Sequence, residues 1–170
     1  RIDPTGRRVR TAAGEWIGYD ALVLATGSRA FVPPVPGSDT PGCHVYRTLD
    51  DLDAIRTDAE TALARDPEAV GLVIGGGLLG LEAANALQQL GLRPHVVEVN
   101  PRLMPHQVDA GGGEHLVRLI RERGIDVSLS SGTDAIEPAD GGGLRVTLAG
   151  GDVVDAGVVV FAAGVRPRDE

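Results

Sequence analysis

The chain has 170 residues, of which 42% are hydrophobic and 3% aromatic, so we expect a globular fold whose core is filled by aliphatic side chains. Its 16 basic residues are all arginine and face 24 acidic residues, and the net charge of −8 argues against a nucleic-acid partner. The lack of lysine excludes a P-loop and lysine-dependent chemistry. The single cysteine excludes an internal disulfide and a cysteine zinc site, and the histidines show no ligand spacing, so no metal site is expected.

The termini and the hydropathy pattern predict where the protein resides. The longest apolar run, residues 69–81, is interrupted by glycine and is too short to span a membrane, so no membrane partner is expected. No signal peptide opens the chain, which predicts a cytoplasmic location. The chain begins at Arg1 without a methionine, which suggests a piece of a longer protein.

The first predicted elements lie within residues 1–42. Residues 7–11 and 15–19 form strand-like runs on either side of Gly14, which predicts a hairpin. Residues 21–25 are continuously apolar and predict a strand buried on both faces. Residues 31–42 contain four prolines, which predicts a linker.

A helix is predicted from Thr48 to about Arg65. Thr48 is followed by Asp50 and Asp51, an acidic helix start that resembles a capping box. Apolar residues then recur with helical spacing until Asp66-Pro67 ends the pattern.

Strands and helices alternate in the second half of the chain. Strands are predicted at residues 70–74, 95–99 and 125–129, and helices run to Leu90 and over 109–123. Short β-α-β-α-β connections predict a Rossmann-type α/β fold, with a parallel sheet, right-handed crossovers and helices on both faces. Residues 133–155 predict a small antiparallel β excursion, and residues 158–161 a final buried strand.

A glycine-rich turn predicts a dinucleotide-binding site. Gly75, Gly77 and Gly80 form G-x-G-x-x-G between a strand and a helix, and Glu98 follows 18 residues later at the end of the next strand. Gly75 permits the tight turn, Gly77 lets a pyrophosphate approach, and Gly80 lets helix and strand pack. The helix-start amides, which include those of Leu78 and Leu79, would hold the phosphates.

Three acidic and basic side chains extend this prediction. Glu98 would accept hydrogen bonds from both adenosine ribose hydroxyls, which favours NADH over NADPH. Arg102 lies four positions later and could turn toward the 2′-phosphate of NADPH. Glu82 could reach the nicotinamide, or it could be a helix-dipole acid on a solvated face.

Two similar segments flank the glycine-rich turn and carry a family resemblance. Residues 22–27 (LVLATG) and residues 159–164 (VVFAAG), on either side of G-x-G-x-x-G-x-E, resemble the pyridine nucleotide–disulfide oxidoreductase superfamily. The resemblance implies an NAD(P)H-binding domain at residues 44–162, inserted into an FAD domain represented by residues 1–43 and 163–170. It places Ala163 and Gly164 beside the nicotinamide. The remainder of the FAD domain is then an expected partner, and the fragment alone would be inactive.

A narrower resemblance concerns the acceptor of the electrons. Residues 46–52, 97–105 and 107–112 resemble the large subunit of assimilatory NAD(P)H nitrite reductases, in which siroheme and an iron–sulfur cluster would lie in a part absent here. Rubredoxin- or ferredoxin-type NADH reductases and a non-catalytic NAD-sensing module are the alternatives. A methyltransferase is disfavoured, because Ile74 occupies the position of the acid that usually precedes its glycine-rich loop.

Overall fold

The computed structural model describes residues 1–169 and divides into two compact units. One unit contains residues 1–28 and 167–169, and the other is Arg29–Arg166. Glu170, the last residue of the predicted segment 163–170, lies outside the described residues. The assignment of residues 1–43 and 163–170 to an FAD domain stays a prediction. No helix over residues 1–169 is long and apolar enough to cross a membrane.

The first unit contains a small antiparallel sheet of three strands. Strand β1 is Ile2–Asp3, β2 is Arg8–Arg10 and β3 is Trp16–Gly18. The pairing of β2 with β3 confirms the predicted hairpin, whose turn contains Gly14 at φ +90°. Strand β1 was not predicted, because two residues are too few for a recognisable alternation.

The predicted buried strand over residues 21–25 is wrong. These residues belong to neither helix nor strand, and Val23 and Leu24 are 85% and 65% exposed. A strand buried on both faces needs hydrogen-bonded neighbours and covering layers. Within residues 1–169 no strand pairs with this run, so its apolar side chains stay at the surface.

From Ser28 onward the chain forms ten strands and three helices within the described residues. In chain order they are β4 (Ser28–Ala30), β5 (Cys43–Val45), α1 (Leu49–Arg65), β6 (Val70–Ile74), α2 (Leu78–Gln89), β7 (Arg93–Val97), α3 (Ala110–Glu122), β8 (Asp126–Ser128), β9 (Thr133–Pro138), β10 (Leu144–Leu148), β11 (Val153–Ala156), β12 (Val158–Phe161) and β13 (Val165–Pro167). The predicted strand 95–99 begins and ends two residues earlier, because the chain leaves the sheet at Glu98.

A five-stranded parallel sheet organises the larger unit, in the order β5-β12-β6-β7-β8. Strand β5 was not predicted, since it is three residues long and follows the proline-rich linker. All five strands run in one direction, so their carboxyl ends meet at one edge of the sheet. The predicted α/β fold with a parallel sheet and a small antiparallel excursion is confirmed.

The two faces of this sheet are covered by different layers, which corrects the prediction of helices on both faces. Buried residues of all three helices pack on one face against Val73, Val96 and Val160. The opposite face, which includes Leu72 and Phe161, packs against the antiparallel sheet β11-β10-β9. The sequence predicted these antiparallel strands, but their alternating apolar residues do not reveal which layer they cover.

Candidate nucleotide-binding site

A cavity of about 840 Å³ lies at the edge of the sheet where β12, β6 and β7 end. This volume is typical of small-molecule sites in proteins. All of its lining residues belong to the unit Arg29–Arg166. The predicted site residues among them are Gly75, Gly77, Leu78, Leu79, Glu98, Ala163 and Gly164.

The turn between β6 and α2 requires glycine at its first position. Gly75 has φ +118°, a conformation that side chains disfavour, and a Cβ there would lie 2.6 Å from the carbonyl oxygen of Ala162. Gly80 lies in the first turn of α2 and does not line the cavity. A Cβ on it would overlap the carbonyl oxygen of Gly75. The packing of α2 against the end of β6 therefore depends on both residues.

Gly77 has a different environment, because it opens onto the cavity. It is the N-cap of α2, and a Cβ on it would have no atom within 4 Å among residues 1–169. No side chain caps this helix start, and first-turn amides have no acceptor within a helix. The amides at Leu78 and Leu79 and the helix dipole thus favour an anionic group in the space before Gly77.

The middle glycine, Gly76, also has a structural role, which the sequence analysis did not assign. Its amide donates to Oε2 of Glu98 at 2.6 Å, and its carbonyl accepts from the Met104 amide at 2.9 Å. A Cβ would lie 2.6 Å from Cδ2 of the buried Leu103. These contacts join the glycine-rich turn between β6 and α2 to the loop after β7. In the sequence, only the run of three consecutive glycines indicated that Gly76 has a role here.

Glu98 is the one buried charged side chain recorded over residues 1–169, with 6% of its surface exposed. Besides the Gly76 amide on Oε2, its Oε1 accepts from the backbone amide of Asn100 at 2.8 Å and from Nδ2 of Asn100 at 2.6 Å. These neutral donors compensate the burial of the carboxylate. The side chain is fixed beside the cavity, where the sequence analysis placed the adenosine ribose.

Two of the predicted site residues, Glu82 and Arg102, lie away from this cavity. Glu82 is exposed on α2, and neither residue lines the cavity. The guanidinium of Arg102 donates to the carbonyls of Val108 at 3.2 Å and Pro105 at 3.1 Å, and it lines a separate depression against α3. The sequence spacing alone could not show that the loop after β7 turns this side chain away.

The family comparison agrees with this geometry. Residues 1–170 match the family described as pyridine nucleotide-disulphide oxidoreductase. The chain belongs to this family. The resemblance inferred from the segments flanking the glycine-rich turn is therefore confirmed.

Three relatives illustrate where this oxidoreductase-family chain lies within the family. It is 51% identical over 168 residues to a nitrite reductase [NAD(P)H] large subunit of Klebsiella oxytoca, which covers 99% of the chain and 17% of the relative. It is 44% identical to the nitrite reductase (NADH) large subunit of Escherichia coli, over 95% of the chain and 18% of the relative. A ferredoxin reductase structure from Rhodopseudomonas palustris is 32% identical, with a TM-score of 0.83 over 98% of the chain and 40% of that protein. The chain thus spans less than a fifth of these two curated relatives.

The cavity of this oxidoreductase-family chain has further lining residues that the sequence did not predict as site residues. Asn100 and His106 come from the loop after β7, and Phe31 comes from the proline-rich linker. Thr133, at the start of β9, has a buried Oγ1 without a hydrogen-bond partner in the described part of the chain. An unpartnered buried hydroxyl is unusual, and this one adds a polar group to the wall of the cavity.

Two partly buried titratable side chains with shifted pKa values lie outside the cavity. Burial raises the pKa of Cys43 to about 11, assisted by the charge of Asp39, so its thiol is protonated at neutral pH. Burial lowers the pKa of His95 below its usual value, and the ring contacts Oγ of Ser128 at 2.8 Å. Over residues 1–169 no group of three His, Cys, Asp or Glu side chains could hold a metal ion.

Proposed function

We propose that this chain binds a nicotinamide dinucleotide, NADH in preference to NADPH, in the cavity at the carboxyl edge of its parallel sheet. The observation that carries the proposal is that one cavity is lined by Gly77, with open space at its Cβ position, by the start of α2, which no side chain caps, and by the fixed Glu98 carboxylate. A pyrophosphate needs close backbone approach and N–H donors, and an adjacent ribose needs an acceptor.

The lining residues divide into three groups along such a ligand. Gly75, Gly77 and the amides of Leu78 and Leu79 would hold the pyrophosphate. Glu98 would accept from the adenosine ribose, and the neighbouring Val99, 70% exposed, offers apolar surface to the adenine. Ala163 and Gly164, after β12, would lie beside the nicotinamide.

We further propose that the chain acts within a longer flavoprotein. The cofactor supplies a hydride, and these residues position its nicotinamide toward FAD held mainly by the rest of that protein. The identity to the two nitrite reductase large subunits supports nitrite as the final acceptor, and the siroheme and iron–sulfur cluster that the resemblance implies would then supply the electrons from a part outside this chain. The ferredoxin reductase structure supports a second candidate, a reductase whose acceptor is an iron–sulfur protein.

A calorimetric titration of the chain with NADH, NADPH and FAD tests the binding proposal. We expect NADH to bind, NADPH to bind more weakly, and FAD not to bind stoichiometrically, because a second phosphate turn is absent from the sequence. Tight one-to-one binding of FAD without NADH binding would contradict the proposal. In the full-length protein, NADH oxidation that depends on nitrite rather than on a ferredoxin would distinguish the two acceptors.

A further inference from the structure

Asn100 contacts the carboxylate that the proposed site uses for the adenosine ribose. Its Nδ2 donates to Oε1 of Glu98 at 2.6 Å, and its backbone amide donates to the same oxygen at 2.8 Å. Asn100 also lines the cavity next to Glu98. Its side chain therefore contacts the carboxylate at the wall of the cavity in which the proposed ribose would lie.

The hydrogen bonds already made by Glu98 limit what it can accept. An ionised carboxylate offers about four acceptor positions, two on each oxygen. The two donors of Asn100 fill both positions of Oε1, and the Gly76 amide fills one position of Oε2. One position remains, whereas the ribose of NADH presents two adjacent hydroxyl groups. The expectation that Glu98 accepts from both hydroxyls thus requires Nδ2 of Asn100 to leave.

We propose that Asn100 is a specificity-determining residue that limits the preference for NADH over NADPH. Its carboxamide occupies an acceptor position that the second ribose hydroxyl of NADH would otherwise use. The N–H bound to Oε1 partly offsets the negative potential of the carboxylate, which reduces its repulsion of a 2′-phosphate, and the second N–H of the same carboxamide would be free to donate to that group. The inference rests on the proposed nucleotide site and adds a residue to it.

Replacement of Asn100 by alanine should make the protein more selective for NADH. The backbone amides of Gly76 and residue 100 still hold Glu98, so its position is kept while one acceptor position on Oε1 becomes free. NADH gains a possible hydrogen bond, and NADPH meets a less compensated negative charge. We expect the ratio of the NADPH to the NADH dissociation constant to rise about tenfold in Asn100→Ala, the low end of the effect of one hydrogen bond to a charged group.

The test compares both dissociation constants in the full-length protein, by calorimetry at one fixed salt concentration. Asn100→Ser keeps a short donor and should stay within about twofold of the wild-type ratio. Asn85→Ala is the matched control, since Asn85 is exposed on α2 and lies outside the cavity. If Asn100 had a purely structural role, its replacement would weaken the binding of both nucleotides equally and leave the ratio of their dissociation constants unchanged.

The outcomes separate this inference from the proposed function. A ratio in Asn100→Ala that is unchanged or lower, with NADH bound by the wild type, would overturn the role of Asn100 and leave the site intact. A wild-type protein that binds neither nucleotide would overturn the proposed function, and the inference with it.

Discussion

The four glycines between Gly75 and Gly80 meet different geometric demands. Gly75 supplies a left-handed backbone conformation, Gly76 leaves room for Leu103 and Glu98, and Gly80 leaves room for the carbonyl of Gly75. Gly77 alone faces open space in the described structure. Three of these glycines therefore maintain the fold of the turn, and Gly77 differs from them in having open space at its Cβ position.

Gly80→Val should destabilise the protein. A Cβ at this position overlaps a backbone oxygen, which cannot move aside as a side chain could, so α2 must shift away from β6. Overpacking of this kind costs about 1–3 kcal/mol. Urea denaturation should show the lower free energy of unfolding, whereas Asn85→Ala on the exposed part of the same helix should have little effect. Equal stability of Gly80→Val and the wild type would contradict the packing role.

Glu98→Gln should be destabilising although the side chain keeps its shape. The NH₂ group of glutamine would face one of the N–H donors now bound to the carboxylate, either at Gly76 or at Asn100. An unsatisfied buried donor costs about 1–3 kcal/mol. The exposed Glu122 offers a control, since Glu122→Gln should leave the unfolding midpoint in urea unchanged. An equal loss of stability in Glu98→Gln and Glu122→Gln would show that the hydrogen bonds of Glu98 do not stabilise the fold.

At the scale of single elements, the start of α1 can be tested directly. Thr48 accepts from the Asp51 amide at 3.2 Å, and the Asp51 carboxylate accepts from the Thr48 amide at 2.7 Å, which confirms the predicted capping box. Thr48→Ala should cost about 1 kcal/mol of stability, measured by thermal unfolding. Thr61→Ala, at an exposed interior position of α1, should not destabilise, because alanine favours helices. A loss of stability in Thr61→Ala but not in Thr48→Ala would contradict the capping role of Thr48.

Strand β7 should contribute a pH dependence through His95. Its pKa is lowered in the folded protein, mainly by burial, so the unfolded chain binds a proton more readily. Stability should therefore be unaffected by His95 above its usual pKa of 6.5 and fall as the pH drops below that value. His95→Gln should flatten this part of the curve of unfolding free energy against pH. If the unfolding free energies of the wild type and of His95→Gln differ by the same amount from pH 8 to pH 5, His95 does not cause the pH dependence.

The sequence predicted elements well where periodicity and end signals coincide. The bounds of β6 and β12 are as predicted, and α1 begins at the predicted cap. The strand predicted over residues 21–25 was wrong, because strand formation depends on a pairing strand that the sequence does not reveal. Strand β5 was missed, because three residues are too few to show alternation. The turn around Gly77 was identified from local spacing, whereas the orientation of Arg102 depends on a loop that no periodic pattern describes.

At the scale of the larger unit, the two layers that cover the parallel sheet explain where a ligand can bind. Helices cover one face and the antiparallel sheet covers the other, so neither face of the sheet is free. The carboxyl edge remains, and there several loops converge around one cavity. Ligands of open α/β sheets bind at this edge. The proposed site thus follows from the layer arrangement as well as from the glycine motif.

The most direct test of the central claim is the NADH dissociation constant of Gly77→Val beside that of the wild type. Gly77 lines the cavity and has open space where its Cβ would project, so valine should fill the position of the pyrophosphate without disturbing a neighbour. We predict that the folded variant, verified by circular dichroism, binds NADH at least about 100-fold more weakly than the wild type. NADH binding by Gly77→Val with the wild-type dissociation constant would show that the dinucleotide does not occupy this turn.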